Sequence, residues 1–489
     1  MAKSIMTTMI IKSLALCSYG KARVNMSSPI VLVRCAVMIE SMMGKEGAGI
    51  INNNRIMGAM HVVVIGLGTA GMTVVRWLKV LDPNSKITVI EKRKYPTYSP
   101  CGLPMSIGGK IKPSALVHPF PKLKNVYIFL STKVVDINTT TREVTCAGER
   151  EMSIKYDYLV VASGVEPVVP KFISRDVKNV YTLKYVEDAE RITNTIKRAK
   201  NICVVGGGPI GVEVSYEISN VVDVTLIEMM PRLLPGAVSE RVSGFVEKKL
   251  KESGVDVRTS CKIVGVEGDE KKIVHLDNGE KIVCDTILLA MGVQPSTDFC
   301  PREILNEQGY VNVDERMMTP IKSIYACGDC TNSRALSNGM AAKLAVPAIK
   351  QAIVASINIA GGYAEYEGSV NAFSCTLGKN EIASVGKFSG NVARITAYSK
   401  PDWIGGEKVY IELYYNDHGR VIGACAYGEK AVEYVNRVSI AMKAKGSVWD
   451  LLSAEYCYNP SISSAHDPLY LAAEQAVRRL GILNRRITI

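Results

Sequence analysis

Short apolar runs without polar interruption recur along the chain, and each runs directly into glycine. His61-Val62-Val63-Val64-Ile65 leads into Gly66-Leu67-Gly68-Thr69-Ala70-Gly71, and Ile202-Cys203-Val204-Val205 leads into Gly206-Gly207-Gly208-Pro209-Ile210-Gly211. A run of this length lacking alternation predicts a strand buried on both faces, as in a parallel sheet. A helical stretch follows each turn, over 72–81 in the first case and bearing Glu213 in the second. Each helix then gives way to a second strand that ends in an acid, Ile87-Thr88-Val89-Ile90-Glu91 and Val224-Thr225-Leu226-Ile227-Glu228. Strand, glycine turn, helix, strand and acid together predict a dinucleotide-binding unit. Gly66, Gly68 and Gly71, like Gly206, Gly208 and Gly211, allow a tight turn that brings backbone N–H groups up to a pyrophosphate. Glu91 and Glu228 stand where an acid bonds a ribose hydroxyl. A carboxylate there repels a 2′-phosphate, so Glu228 favours NADH over NADPH, while nearby Arg232 softens that preference and leaves NADPH open.

Three more strand–glycine turns follow the same pattern. Tyr156-Asp157-Tyr158-Leu159-Val160-Val161-Ala162-Ser163-Gly164 lies between the units, and Asp285-Thr286-Ile287-Leu288-Leu289-Ala290-Met291-Gly292 comes after the second. Ile324-Tyr325-Ala326-Cys327-Gly328-Asp329 is the third. Cys327 and Cys330 form one C-x-x-C without His or Cys partners at metal spacing, so no metal site is expected. Beyond Gly361-Gly362 the pattern changes. Val409-Tyr410-Ile411-Glu412-Leu413-Tyr414-Tyr415 alternates as a half-exposed strand, Asn416-Asp417-His418-Gly419 predicts a hairpin turn, and helices are expected over 431–444 and 469–480. The expected class is α/β: two Rossmann-like dinucleotide-binding domains and a C-terminal α+β domain.

Composition narrows the function classes. The chain has 489 residues, 47% of them hydrophobic, and a formal charge of +12. Its basic residues are spread out, not gathered into an arm or aromatic-rich patch, so phosphorylated cofactors are expected and nucleic acid is not. No uncharged run is long enough to cross a bilayer, so no membrane association is expected. Thirteen scattered cysteines suit a cytoplasmic protein with free thiols. Residues 1–59 are rich in methionine and basic residues and have little periodicity, and the first strand begins directly after Met60. They are expected to be an over-long start or a disordered extension.

One stretch carries candidate chemistry: Tyr98-Ser99-Pro100-Cys101-Gly102-Leu103-Pro104. A thiol in the first turn of a helix is favoured as thiolate by the partial positive charge there. A buried structural cysteine in a Gly/Pro turn accounts for the same residues.

With both glycine fingerprints, the turns at Gly164 and Gly292, and Ile324 through Asp329, the chain resembles the pyridine nucleotide–disulfide oxidoreductases over roughly residues 60 to 480. The resemblance implies an FAD domain (60–170 and 285–360), an NAD(P)H domain (171–284), a dimerisation domain (361–489) and a homodimer. It implies that Asp329, beside Gly328, binds the FAD ribityl chain. Ser99 through Pro104 is similar to the single-cysteine branch, which includes coenzyme A-disulfide reductases, NADH oxidases and peroxidases, and sulfur reductases. Position 106 is Ser, so no second cysteine faces Cys101, and Ala465-His466-Asp467-Pro468 replaces the His-Pro-Thr motif of the two-cysteine branch. Thr69 stands where peroxidases and water-forming oxidases carry His, and Pro209 replaces a frequent aromatic residue. By resemblance, Tyr458 reaches a partner's active site, and Arg76 and Lys79 meet coenzyme A phosphates, although Val80 stands where a second base is common. The implied activity passes electrons from NAD(P)H through flavin to Cys101 and reduces coenzyme A disulfide, polysulfide or sulfur. The alternatives are an NADH oxidase forming hydrogen peroxide, a reductase of a small iron–sulfur protein, and a flavin-bearing redox sensor or interaction protein.

Overall fold

The first apolar run forms the middle strand of a five-stranded parallel sheet with the order Ile324–Ala326, Tyr158–Val161, His61–Ile65, Lys86–Ile90, Val126–Phe129. The structure, a computed structural model, describes residues 60–148, 151–173, 177–336 and 343–481, so the extension at 1–59 lies outside it. Val62, Val63 and Val64 are fully buried, as a strand covered on both faces requires. Helix Thr69–Leu81 buries Ala70, Val74, Val75 and Leu78 on one face and packs against helix Ala345–Ile359. That four-residue recurrence is the apolar stripe of a helix laid on a sheet.

The second apolar run occupies the same central place in a second parallel sheet, ordered Val180–Thr182, Thr286–Leu289, Asn201–Val205, Asp223–Ile227, Asp256–Arg258. Here the structure moves an expected boundary. Thr286–Leu289, assigned above to the first unit, pairs with Asn201–Val205 and Val180–Thr182. Its four residues are all buried, and only a place between two strands covers such a run on every side. The chain returns to the first unit afterwards, where Val293–Pro295 pairs antiparallel with Val165–Pro167. Each parallel sheet also carries a three-stranded antiparallel sheet, Lys133–Asn138 to Met152–Lys155 in the first unit and Ile263–Glu267 to Lys281–Cys284 in the second.

The C-terminal part is a five-stranded antiparallel sheet ordered Phe373–Leu377, Asn380–Gly386, Val421–Gly428, Lys408–Tyr415, Asn391–Tyr398. The expected hairpin joins Lys408–Tyr415 to Val421–Gly428, with Gly419 at φ +77°. The strand is not half-exposed, however, because every residue of Lys408–Tyr415 after the first is buried. Helices Ala431–Lys443, Val448–Ser453 and Pro468–Leu480 cover one face of the sheet. The other face meets the second unit, where Phe245 lies edge-on to Tyr410 at 5.1 Å. Alternation had reported polar hydroxyls and a carboxylate, and these satisfy one another inside. Glu412 accepts from Tyr410 and Tyr414, both at 2.8 Å, and from Arg394 Nε at 3.0 Å. No helix among the described residues is long and apolar enough to cross a membrane.

Candidate functional site

The two glycine turns are built alike. Gly66 and Gly206 take φ of +94° and +113°, and a Cβ on either would lie 2.5 Å from the Ala162 carbonyl or 2.3 Å from that of Ala290. The turns toward Gly164 and Gly292 therefore press directly on the cradles. A Cβ on Gly71 would come within 2.0 Å of the Gly66 carbonyl, and one on Gly211 within 1.9 Å of the Gly206 carbonyl. Only glycine lets each helix close on its turn. Gly68 and Gly208 differ, because a Cβ there meets nothing within 4 Å. They are the N-caps of Thr69–Leu81 and Pro209–Ile218, and neither helix start is capped by a side chain. Free first-turn N–H groups beside open space suit a diphosphate, so both cradles fit a dinucleotide.

The acids also repeat. Glu91 Oε2 accepts the Leu67 N–H at 2.7 Å, and Glu228 Oε2 accepts the Gly207 N–H at 2.6 Å. The surroundings then diverge. Arg93 clamps Glu91 through Nε at 2.8 Å and an outer nitrogen at 2.6 Å, and its guanidinium lies 4.8 Å over the Tyr98 ring. Among the described residues Glu228 has only a second backbone donor, Met230 N–H at 2.7 Å.

Cys101 sits in the 3₁₀ turn Pro100–Gly102, directly before helix Leu103–Ile107. That helix packs against Val186–Ile196 and Pro209–Ile218 of the second unit, so the thiol lies where the two units meet. Of the described cysteines only Cys101 and Cys457 are exposed, while Cys327 and Cys330 are fully buried. Ser106 is buried one helical turn on. Among the described residues no group of three candidate ligands could hold a metal.

The expectation of a stabilised thiolate is corrected here. Desolvation first, then the charges of Glu213 and Asp329, push the Cys101 thiol up, against its own backbone N–H and the Lys184 ammonium. The following helix is only five residues long, so its dipole is too weak to reverse this. Burial also raises Asp329, although Lys184 and Lys343 pull it back. Burial lowers Lys184 despite Glu166 and Asp329 nearby. Glu166 in turn accepts the Tyr185 hydroxyl at 2.6 Å and pairs with Lys92.

Gly328 donates its N–H to Gln351 at 2.7 Å, which fixes the turn that carries Asp329. Tyr458 is 57% exposed in the segment between Val448–Ser453 and Pro468–Leu480, with no hydrogen bond to the Cys101 turn of its own chain. Lys79 donates to the carbonyls of Pro83 at 2.5 Å and Ser85 at 2.9 Å, closing the loop after its helix. That geometry lends no support to a coenzyme-binding role. Among the described residues no partner reaches the buried Nε of Arg76. Sequence reasoning missed Arg93, Lys184 and the role of Glu213. The available signals were slight: Arg93 follows Glu91 by two residues, and Glu213 follows Gly206 by seven.

Comparison with known proteins agrees with this arrangement. The family described as pyridine nucleotide-disulphide oxidoreductase matches residues 60–355. The chain is 32% identical to a protein of Methanocaldococcus jannaschii named NADH oxidase, over 86% of this chain and 99% of that one. It is 27% identical to a CoA-dependent NAD(P)H sulfur oxidoreductase of Pyrococcus furiosus, over 85% of this chain and 99% of that one. Among solved structures it is similar to an NAD-dependent persulfide reductase from A. fulgidus, with a TM-score of 0.81, 29% identity, and coverage of 86% of this chain and 83% of that one.

Proposed function

The chain belongs to the pyridine nucleotide-disulphide oxidoreductase family, and from that premise we propose that it reduces a small disulfide or polysulfide, such as coenzyme A disulfide, at Cys101. It is an NAD(P)H-dependent flavin oxidoreductase, and its cofactors are FAD and NAD(P)H. In this reading the first unit holds FAD through Gly66, Gly68, Gly71 and Glu91, with Gly164, Gly328 and Asp329 beside the ribityl chain. The second holds NAD(P)H through Gly206, Gly208, Gly211, Glu228 and Gly292. The C-terminal sheet and its helices dimerise, presenting Tyr458 to the partner's site. Bound flavin supplies the two-electron link between nicotinamide and sulfur.

The observation that carries the reading is the placement of Cys101. It is an exposed thiol at the junction of the two units, within charge range of Asp329 and Lys184, with Ser106 where a second thiol would stand. A lone cysteine suffices when the substrate brings the other sulfur. Thiolate attack then yields a mixed disulfide, which two electrons and a proton open again. The names of the Pyrococcus and A. fulgidus relatives support this chemistry. The name of the Methanocaldococcus relative supports a second reading, oxidation of NADH by oxygen with release of hydrogen peroxide.

Anaerobic NADH oxidation with coenzyme A disulfide separates them. The expected result is two thiols per NADH, abolished by Cys101→Ser. Absence of thiol, with oxygen-dependent NADH loss that survives Cys101→Ser, overturns the reading in favour of the oxidase.

A further inference from the structure

The loop that carries the second acid closes over its glycine turn. Glu228 Oε2 accepts the Gly207 N–H at 2.6 Å, and the Leu234 N–H donates to the Gly207 carbonyl at 2.8 Å, so residues 228–234 form one lip of the cradle. The Met230 backbone is pinned on both sides. Its N–H donates to Glu228 Oε1 at 2.7 Å, and its carbonyl accepts the Ser260 N–H at 3.0 Å. The side chains stay outside. Met229 is 61% exposed and Met230 41%, and of the described methionines only Met105 is exposed besides these two. The first unit has Lys92 and Arg93 at the same two places, each paired with a carboxylate. Thioethers therefore stand at the lip of the second cradle, where the first has paired cations.

We propose that Met229 and Met230 are an oxidation-sensitive clamp on the adenosine half of NAD(P)H, and that hydrogen peroxide weakens nucleotide binding by converting them to sulfoxides. This rests on the reading of the second unit as the NAD(P)H site. In the step, a thioether sulfur attacks one peroxide oxygen and the O–O bond breaks. Sulfur gains that oxygen and gives up two electrons, and the other oxygen leaves as water with both protons.

Position and chemistry together make the site sensitive. An acid that bonds the ribose brings the adjoining adenine within reach of the side chains next to that acid. A soft, polarizable thioether packs well on an aromatic ring. A sulfoxide is polar, and its oxygen accepts hydrogen bonds but donates none. Beside Glu228, itself an acceptor, it offers the nucleotide neither an apolar contact nor a donor. The loop itself survives the change, because both side chains stand in solvent and the bonds that hold the loop run through its backbone and Glu228. Oxidation at this lip therefore acts on nucleotide affinity and leaves the chemistry at Cys101 alone.

The test treats holoenzyme with hydrogen peroxide, with and without saturating NAD+, and then with dithiothreitol, which returns a sulfenic Cys101 to the thiol but leaves methionine sulfoxide in place. Peptide mass spectrometry should find one added oxygen on each of Met229 and Met230. Bound NAD+ should slow their oxidation about fivefold and leave that of Met105 unchanged. KM for NADH should rise about fivefold, and methionine sulfoxide reductases should reverse the rise. Loss of Cys101 to higher oxidation states lowers kcat without moving KM, so the two lesions read out separately. In the double variant Met229→Leu with Met230→Leu, peroxide should leave KM at whatever value it had before treatment. Oxidation of both methionines with KM unchanged overturns the proposal. An equal rise of KM in the double variant, or oxidation that NAD+ does not slow, overturns it too. Gly211→Ala distinguishes the two levels. If that variant keeps its KM for NADH, the reading of the second unit itself fails, and if its KM rises while oxidation has no effect, only the methionine clamp fails.

Discussion

The two nucleotide units use one backbone design to surround different charges. In both, the first glycine abuts an alanine carbonyl, the third abuts the first, the middle one faces open space, and a buried acid braces the turn. Residues at matching offsets then part company. Two residues beyond the acid, the first unit has Arg93 clamped on Glu91, and the second has Met230, 41% exposed. Seven residues beyond the first glycine, the first unit has Thr73, whose hydroxyl bonds back to the Thr69 carbonyl at 2.7 Å. The second has Glu213, whose Oε1 accepts the Thr376 N–H at 3.2 Å and whose charge helps raise the Cys101 thiol. The acid of the first unit is thus held by an arginine, whereas among the described residues that of the second is held by backbone N–H groups alone. Backbone geometry is common to nucleotide binding, and the side chains at these few offsets assign each unit its part.

Four measurements break or sharpen this contrast. The largest effect is expected from Arg93→Ala. Glu91 and Arg93 side chains are 4% and 9% exposed, and removing one partner of a buried pair costs about 3–5 kcal/mol. FAD content and Tm should both fall, and a normal Tm would mean that the first unit does not depend on its cation. Gly211→Ala comes next. Its Cβ would meet the Gly206 carbonyl at 1.9 Å, an overpacking of about 1–3 kcal/mol. KM for NADH should rise while FAD content stays the same, a split that distinguishes the units. Met230→Arg copies the first unit's cation into the second. Neutralising Glu228 should move the NADH-to-NADPH preference about tenfold toward NADPH, roughly 1.4 kcal/mol, read from kcat/KM for each.

The smallest effect concerns stability against pH. Burial raises the folded pKa of Glu213 to about 7, so its carboxyl group binds a proton more tightly in the folded chain than in the unfolded one. Stability is therefore lost as pH rises from the ordinary Glu range through 7, and the full penalty remains above it. Glu213→Gln removes that penalty, so it should raise stability by about 1 kcal/mol at pH 8 and scarcely at pH 5, measured by urea titration at both. Equal stability changes at the two pH values would place Glu213 in ordinary solvent and return the second unit to the likeness of the first.

Much of this was legible because it is local. An unbroken apolar run, a glycine spacing and a terminal acid are adjacent in the chain, and each follows from neighbours a few residues away. Other features had no local signature. Thr286–Leu289 is an apolar run that fits either sheet, and only pairing with Asn201–Val205 decides between them. Lys408–Tyr415 alternates as though half-exposed, yet the second unit covers its polar face and Tyr410, Tyr414 and Arg394 satisfy Glu412 there. Lys79 is a free cation on paper, and the loop at Pro83 and Ser85 takes it up.

The Cys101 thiol marks the division most clearly. The sequence by itself determined two dinucleotide cradles, a third domain and one cysteine in a Pro-Cys-Gly turn, because backbone conformation and strand burial depend on near neighbours. Whether that cysteine is disposed to ionise was decided only by the tertiary structure. Glu213, Asp329 and Lys184 lie 112, 228 and 83 positions from it in the chain, and they reach it only once both units have closed around the turn. Coulomb energy and desolvation depend on distance in space, and sequence spacing carries no record of that distance.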